Sequence, residues 1–175
     1  ALNTEDKQLW CDEFGEKAEL DFCVGRMFRL GIQCWPNPDK RTNVYTHDLM
    51  SAFPSDLKTV RTPLFKSAEL YKIDPQYAVT FNEKDGRRYA ELYPNIIVIF
   101  DVKWETTEMI IGGLRYSVKP MHKTYAGFLA DIRNAIKQSG SHKIEYARRK
   151  DDESGNAKVS FVFDVRLLHE IKDLK

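Results

Sequence analysis

The chain has 175 residues, 42% of them hydrophobic, and a formal net charge of +1 at pH 7. This size and composition fit one domain over residues 1–175 with a single core, because no linker or repeat divides the chain. No apolar run reaches the roughly 18 to 20 residues of a membrane span, and the first residues lack a signal peptide's apolar stretch. The three cysteines form no CxxC pair, which argues against a zinc site. We therefore expect a soluble, cytoplasmic protein with reduced thiols and no membrane partner.

The first part of the chain predicts one helix followed by three strands. Apolar side chains recur at helical spacing over residues 4–30, and acidic residues near the start of this segment complement the helix dipole. A short strand is expected at 32–35, and two further strands at 43–50 and 57–62 are joined by a turn at 51–55. We expect the last two strands to pair as a hairpin.

The middle of the chain predicts a strand, a helix and a second, more hydrophobic strand. Residues 77–81 have strand character, and residues 83–93 follow a helical pattern that Pro94 ends. Residues 95–104 are apolar and β-branched, as in a strand that is buried on both faces. We expect this strand to lie at the centre of the sheet, with the preceding helix packed on it.

Residues 105–175 indicate an elaboration of the same domain. They predict a hairpin around 112–113, an amphipathic helix over 124–138, and two strands that flank a polar turn at 151–156. The expected fold class is therefore α/β, with a core over about residues 5–104 and a basic α+β elaboration after it.

Charge is distributed unevenly along the chain. The first 23 residues carry seven acidic residues against two lysines, whereas residues 114–150 carry nine basic residues against two acidic ones. An acidic cluster can bind a divalent cation, and a basic surface beside it can bind a polyanion such as nucleic acid. Two solvated faces without a ligand are the simpler alternative.

A candidate catalytic group centres on the sequence Asp56-Leu57-Lys58. Alternate residues of a strand share a face, so Asp56 and Lys58 project together while Leu57 points into the opposite layer. Asp48 lies on the partner strand of the expected hairpin, where one cation can bridge the two aspartates, with the Leu57 carbonyl as a further oxygen ligand. Glu19 on the first helix can complete the set. Carboxylates holding Mg²⁺, for which Mn²⁺ can substitute, neutralise a phosphodiester, and a nearby lysine orients or deprotonates the attacking water.

These residues resemble the motifs of the PD-(D/E)XK nuclease superfamily, which includes many restriction enzymes, Holliday-junction resolvases and some homing endonucleases. Glu19 is similar to the acidic residue of the family's first helix, and Asp48 to the aspartate of its first motif. Asp56 and Lys58 are similar to the (D/E)XK element. Two positions depart from the commonest pattern, since His47 stands where the motif has proline and Asp56 where glutamate is commoner.

The resemblance implies a restriction-endonuclease-like core, in which a helix, a three-stranded meander, a helix and a strand form a mixed sheet flanked by helices. It implies a Mg²⁺-dependent endonuclease acting on double-stranded or branched DNA at a specific site or structure. The implied catalytic residues are Glu19, Asp48, Asp56 and Lys58, and the implied metal ligands are Asp48, Asp56, Glu19 and Leu57. Cutting two strands usually takes two active sites, so a homodimer or tetramer is expected.

A second DxK sequence, Asp101-Val102-Lys103, ends the predicted central strand. With Asp85 as its upstream acidic partner, it forms an alternative catalytic set. The helix predicted at 83–93 leaves Asp85 without the neighbouring strand that a hairpin site requires, so the set around Asp56 is preferred. For the set around Asp56, the alternative without a function is surface charges that pair across an ordinary hairpin; for the second set, it is polar residues at the point where a buried strand emerges from the core.

Basic residues near the site and in the C-terminal segment are the candidates for contacts with phosphates. They are Arg61, Lys66, Arg87, Arg88, Lys143, Arg148, Arg149 and Lys150. The main alternative to a nuclease is a non-catalytic nucleic-acid-binding protein on the same scaffold. A partner-binding domain without a nucleic-acid role is a third hypothesis, which the salt dependence of DNA binding tests.

Overall fold

The computed structural model describes residues 15–27, 33–43, 46–51, 53–145 and 159–172. Within these residues the chain is a mixed α/β structure. Its strands are β1 (Trp35–Pro36), β2 (Leu49–Met50), β3 (Pro54–Val60), β4 (Ala78–Asn82), β5 (Ile97–Lys103), β6 (Glu108–Ile111), β7 (Leu114–Ser117), β8 (His122–Phe128), β9 (His142–Glu145), β10 (Val159–Asp164) and β11 (His169–Ile171). Its α-helices are α1 (Glu16–Asp21), α2 (Ser67–Tyr71), α3 (Glu83–Leu92) and α4 (Leu129–Gln138).

Three irregular helical segments complete the described structure. A π-helical segment, Phe22–Met27, continues α1, and 3₁₀ turns lie at Pro38–Arg41 and Val165–Leu167. The Asn37 side chain caps the first of these turns by accepting a hydrogen bond of 3.1 Å from the Asp39 N–H.

The main sheet has six strands in the order β1-β2-β3-β5-β8-β11. The first three form an antiparallel meander, and β5 runs parallel to β3. On the other side of β5, β8 and β11 continue the sheet in antiparallel orientation. A parallel pair needs a crossover connection, and the chain between β3 and β5 contains α3. The predicted α/β class, with a mixed sheet and flanking helices, is confirmed.

The central strand β5 supplies the main hydrophobic core, as its sequence predicts. Val98 and Phe100 are fully buried and belong to one cluster with Tyr89 of α3 and Ile132 of α4. Phe100 also contacts Phe163 of β10 edge to face, with ring centroids 5.5 Å apart. These contacts fix α3 and α4 against β5, because burying each large apolar side chain contributes roughly 1.5 to 3 kcal/mol.

A second hydrophobic cluster holds the helical segment after α1 against the main sheet. Phe22 and Cys23 pack there with Leu49 of β2 and Leu57 of β3, so Leu57 points into this layer as its strand position predicts. Cys23 and Cys34 are free thiols, and their Sγ atoms lie 3.2 Å apart. The third predicted free thiol lies outside the described residues.

A second sheet, in the order β4-β10-β9, and the separate β6–β7 hairpin complete the strand arrangement of the described residues. Gly112 and Gly113 form the turn of that hairpin with φ values of 59° and 81°, a conformation that favours glycine. Both the predicted hairpin and the predicted pairing of β9 with β10 are confirmed. The polar turn at 151–156 lies outside the described residues.

The helix predicted over 124–138 is wrong at its start. Residues 122–128 form β8 and pair with β5, with Tyr125 opposite Phe100. The helix α4 begins only after Phe128, whose N–H donates a 2.9 Å hydrogen bond to Asp131 Oδ2. This bond satisfies an N–H group near the helix start, and it shows why the helix begins at Leu129.

The strands predicted near the start of the sheet are also too long or displaced. Among the described residues of the strand predicted at 43–50, which exclude 44 and 45, only Leu49–Met50 form a ladder, so Asp48 precedes the strand instead of belonging to it. Of the strand predicted at 32–35, only Trp35 belongs to β1, since residues 33 and 34 are not in a strand and residue 32 lies outside the described residues. β1 also includes Pro36, and proline is tolerated there because β1 is an edge strand. The predicted hairpin nevertheless forms, since β2 pairs with β3 in antiparallel register.

The chain after residue 104 shares both sheets with the chain before it. β8 and β11 extend the main sheet, and β10 pairs with β4 along five residues. None of the helices in the described ranges is long and apolar enough to cross a membrane.

Candidate active site

The four residues predicted to be catalytic come together beside β2 and β3 of the main sheet. Glu19 belongs to α1, Asp48 directly precedes β2, and Asp56 and Lys58 lie on β3. Lys58 Nζ lies 2.8 Å from Asp56 Oδ2. A further lysine, Lys40, connects the other two acids: its Nζ lies 2.5 Å from Glu19 Oε1 and also contacts Asp48 Oδ1.

The tight β2–β3 hairpin explains why the two aspartates are neighbours. Leu49 pairs with Ser55, so the preceding Asp48 lies beside Asp56. The Leu57 N–H donates a hydrogen bond of 3.1 Å to Asp48 Oδ2. Leu57 therefore contacts the site through its amide, and the role predicted for its carbonyl stays a prediction.

Asn37 fixes the segment before Asp48 to the turn that carries Lys40. Only 4% of Asn37 is exposed; its N–H donates to the Asp48 carbonyl at 2.8 Å, and its Nδ2 donates to the His47 carbonyl at 2.9 Å. Because the same side chain also caps the 3₁₀ turn, one amide sets the positions of two charged residues of the site.

The Lys58 ammonium lies between two carboxylates on different elements. Besides Asp56, it donates a 2.7 Å hydrogen bond to Asp85 Oδ2 of α3, and Asp85 Oδ1 accepts a bond of 3.1 Å from Arg88. Burial opposes the charge on Lys58, but the Asp56 carboxylate and, more weakly, Asp85 hold its pKa well above the ordinary value. Lys58 is therefore a protonated donor in this arrangement and not a base.

The acidic side chains of the site affect one another's ionisation. Burial raises the pKa of Asp48, and the adjacent Asp56 carboxylate raises it further, to about 8, against the effect of Lys40. Burial also disfavours the charge on Asp56, yet the Lys58 ammonium lowers the pKa of this group below its usual value. Burial raises the pKa of Glu19, which the contact with Lys40 opposes. The aspartate pair therefore retains a proton more readily than two isolated aspartates do.

The oxygen atoms of the site fit a hard divalent cation in chemical type, because such ions prefer carboxylate and carbonyl ligands. Asp56 is 3% exposed, and within the described chain its Oδ2 has no hydrogen-bond donor at an acceptable angle despite the nearby Lys58. A buried carboxylate oxygen without a donor is costly unless a cation compensates it. As the described residues stand, no three acidic, histidine or cysteine side chains form a ready metal-binding group.

The alternative set does not assemble around Asp101. Asp101 Oδ2 accepts a hydrogen bond from Arg61 at 2.9 Å, and its Oδ1 lies 2.9 Å from His122 Nε2. Lys103 is exposed at the end of β5. Asp85 contacts Lys58 instead, since it lies on α3 as the sequence predicts.

The predicted phosphate-binding residues are dispersed over the described surface. Arg61 and Arg88 are engaged with Asp101 and Asp85, while Arg87 is 76% exposed and pairs with Glu83. Lys143 pairs with the same glutamate, and Lys66 lies 6.0 Å from the centre of the Tyr116 ring. The three consecutive basic residues Arg148, Arg149 and Lys150 lie outside the described residues.

Sequence reasoning missed Lys40 and Asn37. Both belong to the segment Pro36-Asn-Pro-Asp-Lys40, where two prolines and an asparagine signal a turn. A turn signal does not reveal that the lysine reaches α1 and the residue before β2, because those contacts depend on the tertiary fold.

Comparison with models of protein families, with curated proteins and with solved structures found no match for this chain. The resemblance to PD-(D/E)XK nucleases therefore rests on the identities of the site residues and on their order along the chain. Independently of that resemblance, these residues converge beside β2 and β3 of the main sheet.

Proposed function

We propose that this protein is a Mg²⁺-dependent endonuclease that hydrolyses phosphodiester bonds of DNA. The proposal is supported above all by the convergence of Glu19, Asp48, Asp56 and Lys58, which come from three separate elements. Surface charges seldom gather in this way, because burying carboxylates side by side is costly without a ligand or a function to maintain it.

The order of elements gives further support. A helix, an antiparallel three-stranded meander, a helix and a strand parallel to the third occur in this order as α1, β1–β3, α3 and β5, with α2 and β4 inserted between β3 and α3. This is the arrangement that the resemblance implies for a restriction-endonuclease-like core. We propose that the chain has such a core, with β8 and β11 as additions to its sheet.

In the proposed mechanism the acidic residues hold the cation. Asp48 and Asp56 would be its direct ligands, with the Leu57 carbonyl, and Glu19 would support it directly or through water. Bound Mg²⁺ neutralises charge on the phosphate oxygens and makes a bound water more acidic. Because the folded protein would already hold these ligands in position, they would not need to rearrange during the reaction.

Lys58 would position the attacking water as a charged hydrogen-bond donor. Its high pKa leaves it protonated near neutral pH. Asp85 accepts one of its hydrogen bonds and so orients the ammonium group from the α3 side. Proton abstraction from the water must then fall to another group, such as a carboxylate oxygen or a phosphate oxygen of the substrate.

Double-stranded or branched DNA is the proposed substrate, at a specific sequence or structure. Exposed basic residues such as Arg87 and Lys143 would contribute phosphate contacts. Cutting both strands usually takes two active sites, so a homodimer or tetramer is proposed. The two free thiols next to the site fit a reducing, cytoplasmic environment.

The direct test is incubation of the protein with supercoiled plasmid and with a four-way DNA junction, each with Mg²⁺ or with EDTA. We expect Mg²⁺-dependent cleavage of at least one substrate, and none with Asp56→Asn. Cleavage that survives in Asp56→Asn or in EDTA would refute the assignment of this site.

One observation favours a second candidate, a non-catalytic nucleic-acid-binding protein on the same scaffold. Lys40 and Lys58 already contact the three carboxylates that would hold the cation. In this alternative both lysines are permanent counter-ions. The protein would then bind DNA with steep salt dependence and show no response to Mg²⁺.

A further inference from the structure

Lys40 contacts the two outer carboxylates of the proposed cation site. Its Nζ lies between Glu19 Oε1 and Asp48 Oδ1, and no other described ammonium group touches both acids. The lysine side chain is only partly covered, with 25% exposed, whereas the carboxylates are 10% and 15% exposed. One positive charge thus bridges two of the three carboxylates that a divalent cation would need.

The backbone that carries Lys40 is fixed independently of this contact. Asn37 caps the 3₁₀ turn and binds the segment before Asp48 through the His47 and Asp48 carbonyls. The turn therefore keeps its place when the lysine side chain moves. Departure of the ammonium needs only rotation about the side-chain bonds, which costs little compared with a backbone rearrangement.

An open cavity gives the displaced side chain a place to go. The cavity has a volume of about 560 Å³, and its lining includes Glu19 and Lys40 together with Lys17 and Pro38. A lysine side chain can extend into such a space and keep its ammonium in water. Lys40 therefore has two environments available, one between the carboxylates and one in the cavity.

We propose that Lys40 occupies the position of the cation in the metal-free protein, and that a divalent cation binds by displacing the Lys40 ammonium into this cavity. This inference rests on the proposed function. A second observation supports a ligand at this place, because Asp56 Oδ2 is buried and has no well-aligned donor within the described chain. The Asp56 oxygen lies 2.8 Å from Lys58 Nζ without an aligned hydrogen bond, while Lys40 holds the two outer carboxylates in position.

The exchange has a measurable consequence for metal affinity. Each cation that binds must first break the ion pairs of Lys40, and it then experiences repulsion from the ammonium nearby. Replacing Lys40 by an uncharged residue of similar length removes both costs. The metal should then bind more tightly, although the number of carboxylate ligands is the same.

The test is isothermal titration calorimetry of the full chain with Mn²⁺ and without DNA. We expect Lys40→Met to bind Mn²⁺ about tenfold more tightly than the wild type, or more. Lys17→Met is the matched control, because Lys17 lines the same cavity and is exposed; its affinity should equal that of the wild type. Lys40→Gln serves as the second variant if Lys40→Met does not fold.

The outcomes separate this inference from the proposed function. If all variants bind Mn²⁺ with the wild-type affinity, the competition is refuted while the metal site stands. Weaker binding in both Lys40 variants would also overturn the inference, since Lys40 would then support the site. If neither the wild type nor any variant binds Mn²⁺, the proposed metal site itself is refuted. Binding in the Lys40 variants alone would support the competition and assign the wild type to the non-catalytic alternative.

Discussion

Two buried aspartates on neighbouring parallel strands show how differently one sequence pattern can be used. Asp56 on β3 and Asp101 on β5 each begin a DxK sequence, and each is 3% exposed. Asp101 has well-formed bonds to Arg61 and a contact with His122, and the Arg61 guanidinium also donates to the Asp101 carbonyl at 2.9 Å. Asp56 faces a lysine and other carboxylates, and its Oδ2 has no well-aligned donor in the described part of the chain.

The partners of each buried acid are the reason why we assign a structural role to Asp101 and propose a catalytic one for Asp56. Arginine binds a carboxylate with a planar fork of fixed geometry, so the cluster around Asp101 is satisfied without a ligand. Lysine is a mobile point charge that a stronger cation can replace. We therefore propose the set around Asp56, and not the set around Asp101, as the one that binds a metal and a substrate.

The largest expected effect tests this comparison at the two lysines. Lys58→Met should reduce the rate of Mg²⁺-dependent DNA cleavage by roughly 10²-fold or more, because it removes the proposed donor to the attacking water. DNA binding should persist. The matched variant Lys103→Met changes the exposed lysine of the other DxK sequence and should cleave at the wild-type rate. A loss of cleavage in Lys103→Met alone would move the active site to Asp101.

The free energy of unfolding and the effect of Mn²⁺ on the melting temperature should distinguish Asp101 from Asp56. Asp101→Asn should reduce the free energy of unfolding by roughly 3 kcal/mol, because it leaves Arg61 without its buried carboxylate. The increase in melting temperature caused by Mn²⁺ should remain. Asp56→Asn leaves Lys58 paired with Asp85 and should abolish the increase caused by Mn²⁺. If Asp101→Asn removed the response to Mn²⁺ instead, the comparison would be reversed.

The pH dependence of stability provides a third measurement. The folded-state pKa of Asp48 is about 8, above the ordinary 3.8, so the folded state binds more protons between these values. Its contribution to stability is therefore present at low pH and is lost as the pH rises from about 4 to about 8. Metal-free Asp48→Asn should lose less stability between pH 5 and pH 8, by at least about 1 kcal/mol.

Burial of His47 lowers its pKa and gives a slope of the opposite sign, but it does so in both proteins. The difference between wild type and Asp48→Asn therefore isolates Asp48. Urea denaturation at several pH values in EDTA measures it. Parallel pH profiles of the two proteins would contradict the raised pKa.

The smallest expected effect concerns DNA docking. Arg61 is bound to Asp101, so Arg61→Ala should leave the slope of log affinity against log salt nearly unchanged. Neutralising Arg148, Arg149 and Lys150 together should flatten this slope by roughly 0.9 per lost phosphate contact with duplex DNA. A wild-type slope in the triple variant would instead favour phosphate contacts at the dispersed basic residues Lys66 and Arg87.

The local part of the site could be predicted from the sequence. Two-residue periodicity puts Asp56 and Lys58 on one face, and a short turn brings Asp48 beside them. The contact between Asp85 and Lys58 could not be predicted, because no local pattern shows that a side chain of α3 reaches β3. The bridge formed by Lys40 was missed for the same reason, since it joins residues 21 positions apart across three elements.

The start of α4 was mispredicted because β8 and α4 follow each other without a break. The helix predicted over 124–138 includes Gly127 and Phe128, although both residues belong to β8. Gly127 has a tertiary reason to be small: a Cβ atom there would lie 3.0 Å from Asp131 Cβ and 3.2 Å from Leu168 Cδ2. Such a close approach between elements is invisible to a periodicity argument, which considers one segment at a time.

The crossover between β3 and β5 has a consequence for folding kinetics. Asp48 contacts the Leu57 amide across 9 positions through a hairpin, whereas Lys58 contacts Asp85 across 27 positions, after the crossover is complete. Closing a shorter loop costs less entropy, so the contact with the smaller sequence separation should form first. Asp48 and Asp56 should therefore come together early, and Lys58 should pair with Asp85 of α3 late. Asp85→Asn should therefore accelerate unfolding and leave the refolding rate nearly unchanged in stopped-flow experiments. A slower refolding rate would mean that α3 docks before the transition state. Lys58 would then already be paired with Asp85 when Asp48 and Asp56 come together.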